Sequence, residues 1–550
     1  MTSGAACCGP DDLNQALSLE IPTSSLRRRG AILLISCYEL GHQPLNLASP
    51  LGSLIQAGYQ PLAVDTHVEQ LADEIITGAE LVAISVPMHT ALRLAEQIAR
   101  RVRELNADAH ICVYGLYAWL NAEYLFEGSG ARGQGAGETS GPECRGPRAG
   151  QVSSTADAHR MGSVLAPGPR PPASAARDSE PLADSVIGGE FEEPLLGLAQ
   201  ALEEGRLAGE GVRYPERYAA PHIRRLRFAE PVRSALPVLE RYAGLMRAGE
   251  RLTAGYVEAS RGCKHRCLHC PITPVYNGRF FVLPPDLVLR DIRRQVASGA
   301  RHITFGDPDF LNGPGHSLRI ARAMHKEFPD VSFDATIKIE HILAHAGLMP
   351  ELKQLGCAFV VSAVESLSDE VLRRLDKGHT AEDVARALDV MAAADIPLRP
   401  SLVAFTPWTT LDDYLALLAF VEGRDLVEMI DPVQYSIRLL VPPGSALLES
   451  AREWLGELDR AAFSYRWRHP DDRMDSLSLQ VQAIVEEAEC EQRDVWATFL
   501  AVKTAAYRTA GLPAPAAMRR PASHRPEPPR LTESWFCCAE PVRTRLAGSV

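Results

Sequence analysis

Ala259-Ser260-Arg261-Gly262-Cys263-Lys264-His265-Arg266-Cys267-Leu268-His269-Cys270 is the stretch around which this 550-residue chain is organised. Its three cysteines stand at C-x3-C-x2-C spacing, directly after a strand-like run from Leu252 to Glu258. Three thiolates so spaced can bind three corners of a cubane iron–sulfur cluster and leave one iron open. Structural zinc takes four ligands, usually as two C-x2-C pairs, and no second pair follows here. Cys263, Cys267 and Cys270 are therefore expected to ligate a [4Fe-4S] cluster.

Working outward, a hydrophobic fraction of 46% and a charged fraction of 23% are ordinary for a globular chain. The length allows two or three domains. A net charge of -12 argues against a broad nucleic-acid surface. The local runs Arg27-Arg28-Arg29 and Arg224-Arg225-Leu226-Arg227 read as solvated faces or linkers. No apolar run approaches the roughly 20 residues that span a bilayer, and Met1 to Asp12 lacks the features of a signal peptide. Apart from the motif and the vicinal pairs Cys7-Cys8 and Cys537-Cys538, the 12 cysteines are scattered. That is not a secreted disulfide framework, so a reducing, cytoplasmic setting is expected.

Residues 1–29 read as a flexible leader. From Gly30 the pattern is α/β: strands at 31–36, 61–64, 81–86 and 110–114 alternate with helices at 49–57 and 91–105. Residues 128–181, rich in Gly, Pro, Ser, Ala and Arg, read as a disordered insertion. The pattern resumes at Ala183 to Glu190, a short strand and glycine turn, then a helix through Glu204. One Rossmann-like domain is thus expected over 30–205, with a linker at 206–250. Over 251–445 come repeated β/α units. Strands are expected at 301–305, 332–337, 358–363, 398–405 and 433–440, and helices at 285–298, 317–327, 367–375, 381–394 and 411–422. Residues 446–512 are expected to be mostly helical. Residues 513–550 form a Pro-rich linker and a tail containing Trp535-Phe536-Cys537-Cys538-Ala539-Glu540-Pro541.

The cysteine stretch resembles the signature of the radical S-adenosylmethionine (radical SAM) superfamily. The resemblance implies a partial (β/α)6 barrel with its chemistry at the strands' carboxyl ends. The open iron is chelated by the amino and carboxylate groups of S-adenosylmethionine, and an electron from the cluster splits the sulfonium to a 5′-deoxyadenosyl radical. His269 stands where the superfamily usually has an aromatic ring near the adenine. The upstream α/β domain, with its Gly188-Gly189-Glu190 turn, resembles the cobalamin-binding domain of one large radical SAM class. The D-x-H-x-x-G motif of other cobalamin proteins is not found after the first strand, which continues Cys37-Tyr38-Glu39-Leu40-Gly41-His42; Asp65-Thr66-His67 follows the second. The tail, with Phe305-Gly306-Asp307-Pro308-Asp309-Phe310 and Thr336-Ile337-Lys338-Ile339-Glu340-His341, resembles the CUAEP/CCAEP-tail radical SAM (seleno)protein family. There the second tail position is selenocysteine or cysteine, which implies a reactive chalcogen at Cys538.

What the resemblance implies can be carried to further residues. Gly306, Asp307 and Asp309 occupy the place of the glycine-rich motif that meets the cofactor's amino group; the turn could equally be held by Asx caps. Glu365 and Ser366 resemble the fourth strand's end, where a glutamate accepts ribose or substrate hydrogen bonds. Ser366 could also be a helix N-cap, with Asp369 completing a box-like start. Lys338 and Arg399 could neutralise the cofactor carboxylate or serve as structural ion-pair partners. Cys537 and Cys538 could be a redox thiol pair, a hydrogen-atom donor or a soft metal ligand. The expected enzyme cleaves S-adenosylmethionine, with cobalamin-dependent methyl transfer or a radical rearrangement as the outcome. Its substrate is a small molecule or peptide, and its electron donor is of the flavodoxin or ferredoxin kind. Sulfur insertion needs a second cluster, and Cys37, Cys112 and Cys144 are far apart in sequence. A different class of reading is a non-catalytic metal- or selenium-handling protein.

Overall fold

The computed structural model of the protein describes residues 25–128, 181–224, 227–449, 453–513, 515 and 527–533. The expected leader, the insertion and the tail motif with Cys537 and Cys538 lie largely or wholly outside them.

Short apolar runs bounded by turns make strands buried on both faces, and such strands need helices on each side. β1 (Ile32–Ser36), β2 (Leu62–Asp65), β3 (Leu81–Ser85), β4 (His110–Tyr114), β5 (Ser185–Ile187) and β6 (Val212–Arg213) form one sheet in the order β2-β1-β3-β4-β5-β6. Its first five strands are parallel and β6 is antiparallel. One hydrophobic core lies on each face: Leu33, Ile35 and Val82 point into one, Leu34, Leu81 and Ala83 into the other. The first helix begins at Leu45 rather than 49 and carries Pro50 inside it.

The second sheet is built from β7 (Gly244–Arg247), β8 (Glu250–Val257), β11 (His302–Phe305), β12 (Ser332–Thr336), β13 (Cys357–Glu365), β14 (Leu398–Leu402) and β17 (Arg530–Leu531). Between β8 and β11 comes a small hairpin of β9 (Ser260–Gly262) and β10 (Phe280–Val282), and before β17 a second of β15 (Leu455–Asp459) and β16 (Ser464–Trp467). The large sheet runs β14-β13-β12-β11-β8-β7-β17. From β8 to β14 it is a parallel, curled half-barrel, and β7 and β17 add antiparallel edges. The fold class is therefore mixed α/β with a partial barrel.

Three expectations change. The sixth barrel strand, expected over 433–440, is a 3-10 turn at Pro432–Tyr435 and a single bridge, Phe405 to Arg438. The Gln434 side chain accepts the Leu402 N–H at 2.8 Å, so a side chain does a strand's work at the β14 edge. The region after 446 opens with the β15–β16 hairpin, closed by Asp459 accepting from Ala461 and Ala462, before its two helices, Asp472–Cys490 and Val495–Thr509. The stretch 206–250, expected as linker, lends β6 to one sheet and β7 to the other. Among the described residues no helix is long and apolar enough to cross a membrane.

The carboxyl ends of the two sheets meet. After β1, His42 stacks on Tyr256 of β8, with centroids 4.7 Å apart. After β5, Glu190 reaches Arg261 of β9 at 3.1 Å. Arg233, buried in the connecting stretch, donates to the Gln43 and Tyr256 carbonyls and pairs with Asp291 at 2.9 Å.

Candidate active site

The cysteine loop leaves β9 and is tied down before it carries any ligand. Gly262 sits at φ +75°, where a Cβ would lie 2.5 Å from the Arg279 carbonyl, so the turn needs glycine. The Cys263 N–H donates to that carbonyl at 3.1 Å. Thr273 Oγ1 donates to the Cys267 carbonyl at 2.9 Å, and the Leu268 N–H reaches the Leu375 carbonyl at 2.9 Å. Asn312 Oδ1 accepts from Lys264 N at 3.3 Å and lies 3.9 Å from Cys263 Sγ.

Behind the thiols stands a buried charged pair. Glu365 ends β13 at φ +65°, and its Oε1 accepts from Lys377 Nζ at 3.2 Å and faces His269 Nε2 at 3.1 Å. Burial alone would push the Glu365 carboxyl up, but the Lys377 ammonium and His269 hold it down at about 2. Lys377 is held charged against its burial by Glu365, then by Cys267 and Cys270. Lys377 therefore lies within electrostatic reach of two of the thiols. Cys263, Cys267 and Cys270 are not cross-linked to one another. Three thiols on one loop with a buried ammonium beside two of them fit an anionic iron–sulfur cluster, because the cation offsets the charge that burial penalises.

The other expected residues distribute as follows. Gly306 passes so close to Tyr256 that a Cβ would fall 1.9 Å from the hydroxyl. Asp307 Oδ2 accepts the Ala259 N–H at 2.9 Å, and Oδ1 accepts the Ser260 hydroxyl, so the carboxyl braces the loop leading to the cysteines. Asp309 Oδ1 accepts from Leu311 N at 3.1 Å, and its Oδ2 faces His341. Lys338 Nζ lies 3.0 Å from His265 Nδ1 and 3.2 Å from Glu340. Arg399 is paired with Asp431 at 2.8 Å, at the β14 edge rather than beside the thiols. Ser366 is not the helix N-cap. The helix runs Asp369–Arg374 with Ser368 at its N-cap, Ser366 Oγ accepts from Ser368 N, and Asp369 accepts from Ala381 N instead of closing a box.

Sequence reading gave no role to Lys377, Asn312, Arg261 or Tyr276. Arg261 bonds Glu190, Glu192 and Glu258, and Tyr276 donates to Glu190 at 2.8 Å. The signal for Arg261 was its place two residues before the first cysteine, beside an upstream pair of acids. A cavity of about 1020 Å³ is lined by Ser332, Gly356, Cys357 and Leu398 at the strands' amino ends, the wrong end of a barrel for chemistry.

The pattern described as "Radical SAM superfamily" matches residues 257–418. Ribosomal protein uS12 methylthiotransferase RimO of Geobacter sulfurreducens is 30% identical over 179 residues, covering 30% of this chain and 39% of that protein. An uncharacterized methyltransferase of Pyrococcus horikoshii is 25% identical over 281 residues, covering 49% and 58%. The chain thus spans well under two thirds of these relatives. Among solved structures, the cobalamin-dependent radical enzyme OxsB, with aqua-cobalamin and S-adenosylmethionine bound, superposes at TM-score 0.57. It shares 14% identity, over 84% of this chain and 67% of OxsB. The methyltransferase TsrM of Kitasatospora setae superposes at TM-score 0.52 and 14% identity, over 85% and 89%. Residues 257–418 are thus similar to a radical SAM domain, and the fold over most of the chain is that of OxsB and TsrM.

Proposed function

We propose that Cys263, Cys267 and Cys270 hold the cluster, and that the enzyme uses cobalamin between its two sheets to transfer a methyl group or to rearrange a substrate carbon skeleton. The observation that carries this reading is the meeting of the carboxyl ends of both sheets around the cysteine loop, with Glu190 bonded to Arg261 at 3.1 Å. Open α/β sheets bind ligands at their carboxyl ends, and so do barrels. A ligand held there touches both domains. The likeness to OxsB and TsrM over most of the chain supports the same reading. Held here, the cluster would supply an electron for reductive cleavage of the sulfonium, and cobalamin would supply a methyl carrier.

The chain's own residues do the rest. Lys377 balances the thiolates. Glu365, kept ionised, orients the His269 ring beside the adenine position. Gly306 exposes backbone carbonyls to the cofactor's amino group, and Asp307 positions the loop. Cys37 packs into the core on one face of the first sheet and Cys112 into the core on the other. They cannot share a cluster, which disfavours the methylthio transfer that RimO is named for. Cys537 and Cys538, which lie outside the described residues, act as a reactive thiol pair in turnover. The electron donor is a flavodoxin or ferredoxin, and the substrate a small molecule or peptide.

The test is anaerobic. Protein reconstituted with iron and sulfide is given dithionite and S-adenosylmethionine, and 5′-deoxyadenosine is measured beside a Cys267→Ala control. The same protein is loaded with hydroxocobalamin and desalted. Product absent from the control, with one cobalamin retained per chain, is the expected result. Product without retained cobalamin limits the reading to radical cleavage alone; a loaded cluster without product overturns it.

A further inference from the structure

Two histidines and an aspartate converge beside the cysteine loop, from three separate elements. His265 lies inside the C-x3-C-x2-C stretch, Asp309 follows β11, and His341 lies on the short helix Ile339–Ala344 after β12. Their candidate ligand atoms all lie within 4.8 Å of one another. Asp309 Oδ2 is 2.7 Å from His341 Nδ1 and 3.8 Å from His265 Nε2. The side chains are 2%, 12% and 17% exposed for Asp309, His341 and His265.

Each of these three atoms is buried and has no aligned hydrogen-bond partner. A buried carboxylate oxygen and two buried ring nitrogens without bonds are costly to leave so. A single cation would satisfy all three together. A zinc or ferrous ion bonded at about 2.1 Å to each holds its ligand atoms roughly 3 to 3.5 Å apart. The 2.7 and 3.8 Å separations to the carboxylate bracket that spacing, and the set as a whole, within 4.8 Å, needs only a small closure of the two rings onto an ion. Two imidazoles and one carboxylate on one side of an ion are the donor set of mononuclear iron and zinc centres that keep open positions.

We infer that His265, Asp309 and His341 form a second, mononuclear metal site for a divalent first-row transition ion, separate from the cysteine cluster. The surroundings suit a cation. The other ring nitrogen of His265 lies 3.6 Å from Glu340 Oε2, just beyond hydrogen-bond reach of a carboxylate placed to serve as an outer partner to a ligand histidine. Lys338 Nζ sits 3.0 Å from the same nitrogen and bonds Glu340. Metal binding turns that nitrogen into a donor to Glu340 and moves the ammonium off it. The two carboxylates outnumber the one ammonium, so the site is net anionic before the ion arrives. This inference stands on the three residues alone and does not depend on cobalamin or on the reaction outcome.

The test is metal binding on cluster-loaded protein, whose cysteines are already occupied by iron. The protein is stripped with a chelating resin and dialysed against micromolar zinc, and zinc, iron and sulfide are counted. The expected result is one zinc per chain in the wild type, lost in Asp309→Asn and in His341→Gln with the cluster iron and sulfide retained. Glu340→Gln, at a half-exposed position that leaves the fold intact, weakens zinc binding about tenfold. Absence of stoichiometric zinc in the wild type overturns the site, and so does zinc retained undiminished in both ligand variants. Should those variants fail to fold, unchanged affinity in Glu340→Gln overturns it.

Discussion

Glu365 and Lys377 form a charge pair with both side chains 4% exposed, against the cysteine loop. Removing one partner of a buried pair leaves an uncompensated charge, at a cost on the order of 3–5 kcal/mol. Lys377→Met and Glu365→Gln are each expected to lower unfolding stability by about that much, with Lys377→Met also loosening the cluster. The double variant should cost less than the sum of the two, since neither charge is then stranded. Denaturant unfolding of all four proteins measures this, and additive costs would show the two groups to be independent. Glu365 was legible in the sequence because Glu365-Ser366 closes a strand at the barrel's active end. Lys377 was not. It lies 12 residues on, and the contact exists only because the helix Asp369–Arg374 folds back over the loop. A lysine in an exposed-looking turn carries no mark of burial. The neighbours of Asp309 were hidden for the same reason: His265 and His341 reach it from the cysteine loop and from the helix after β12.

Elements were more legible than residues. Parallel strands buried on both faces announce themselves as short continuous apolar runs, so β1 to β4 and β11 to β14 fall close to expectation. Val433 to Leu440 alternates apolar and polar residues as a strand would and is not a strand. Pro432 starts a tight turn, and the Gln434 side chain spends itself on the Leu402 N–H. The β15–β16 hairpin was missed because its strands are short and half-exposed, between segments of helical period. The crossing of β8 and the β11 loop gives an element-scale prediction. Gly306→Ala puts a methyl into the Tyr256 hydroxyl, whose ring is stacked against His42. Overpacking of this kind costs about 1–3 kcal/mol or more. The thermal midpoint should fall, and Asp307 should lose its hold on Ala259 and Ser260, so the reconstituted protein should carry less iron per chain. Alanine at 306 with an unchanged midpoint and full iron content would contradict the close approach.

The order of the two domains was legible in the chain; their docking was not. Arg233 looks like one more arginine in a Pro-containing linker, yet it is 7% exposed and joins the β1 loop to β8 and Asp291. The same junction holds Glu39, which follows β1 and accepts the Leu45 and Asn46 N–H groups at the start of a helix. Its carboxyl is pushed up to about 8, chiefly by burial and then by Glu258 of the barrel, against Arg233 and the Asn46 N–H. A folded-state value above the unfolded one means the protonated form is favoured by folding. The stability it contributes is present in full below the unfolded value near 4.3 and is lost as pH rises through about 8. Wild-type protein should therefore melt several degrees lower at pH 8.5 than at pH 6. Glu39→Gln keeps the acceptor oxygen for the two backbone groups and removes the ionisation. It should match the wild type near pH 4, where Glu39 is protonated folded and unfolded alike, and exceed it by a margin that grows from there to about pH 8.5. Thermal unfolding of both proteins across that window measures the difference. Parallel curves would mean that Glu39 is ionised throughout, and that the junction between the two sheets is wetter than its packing implies.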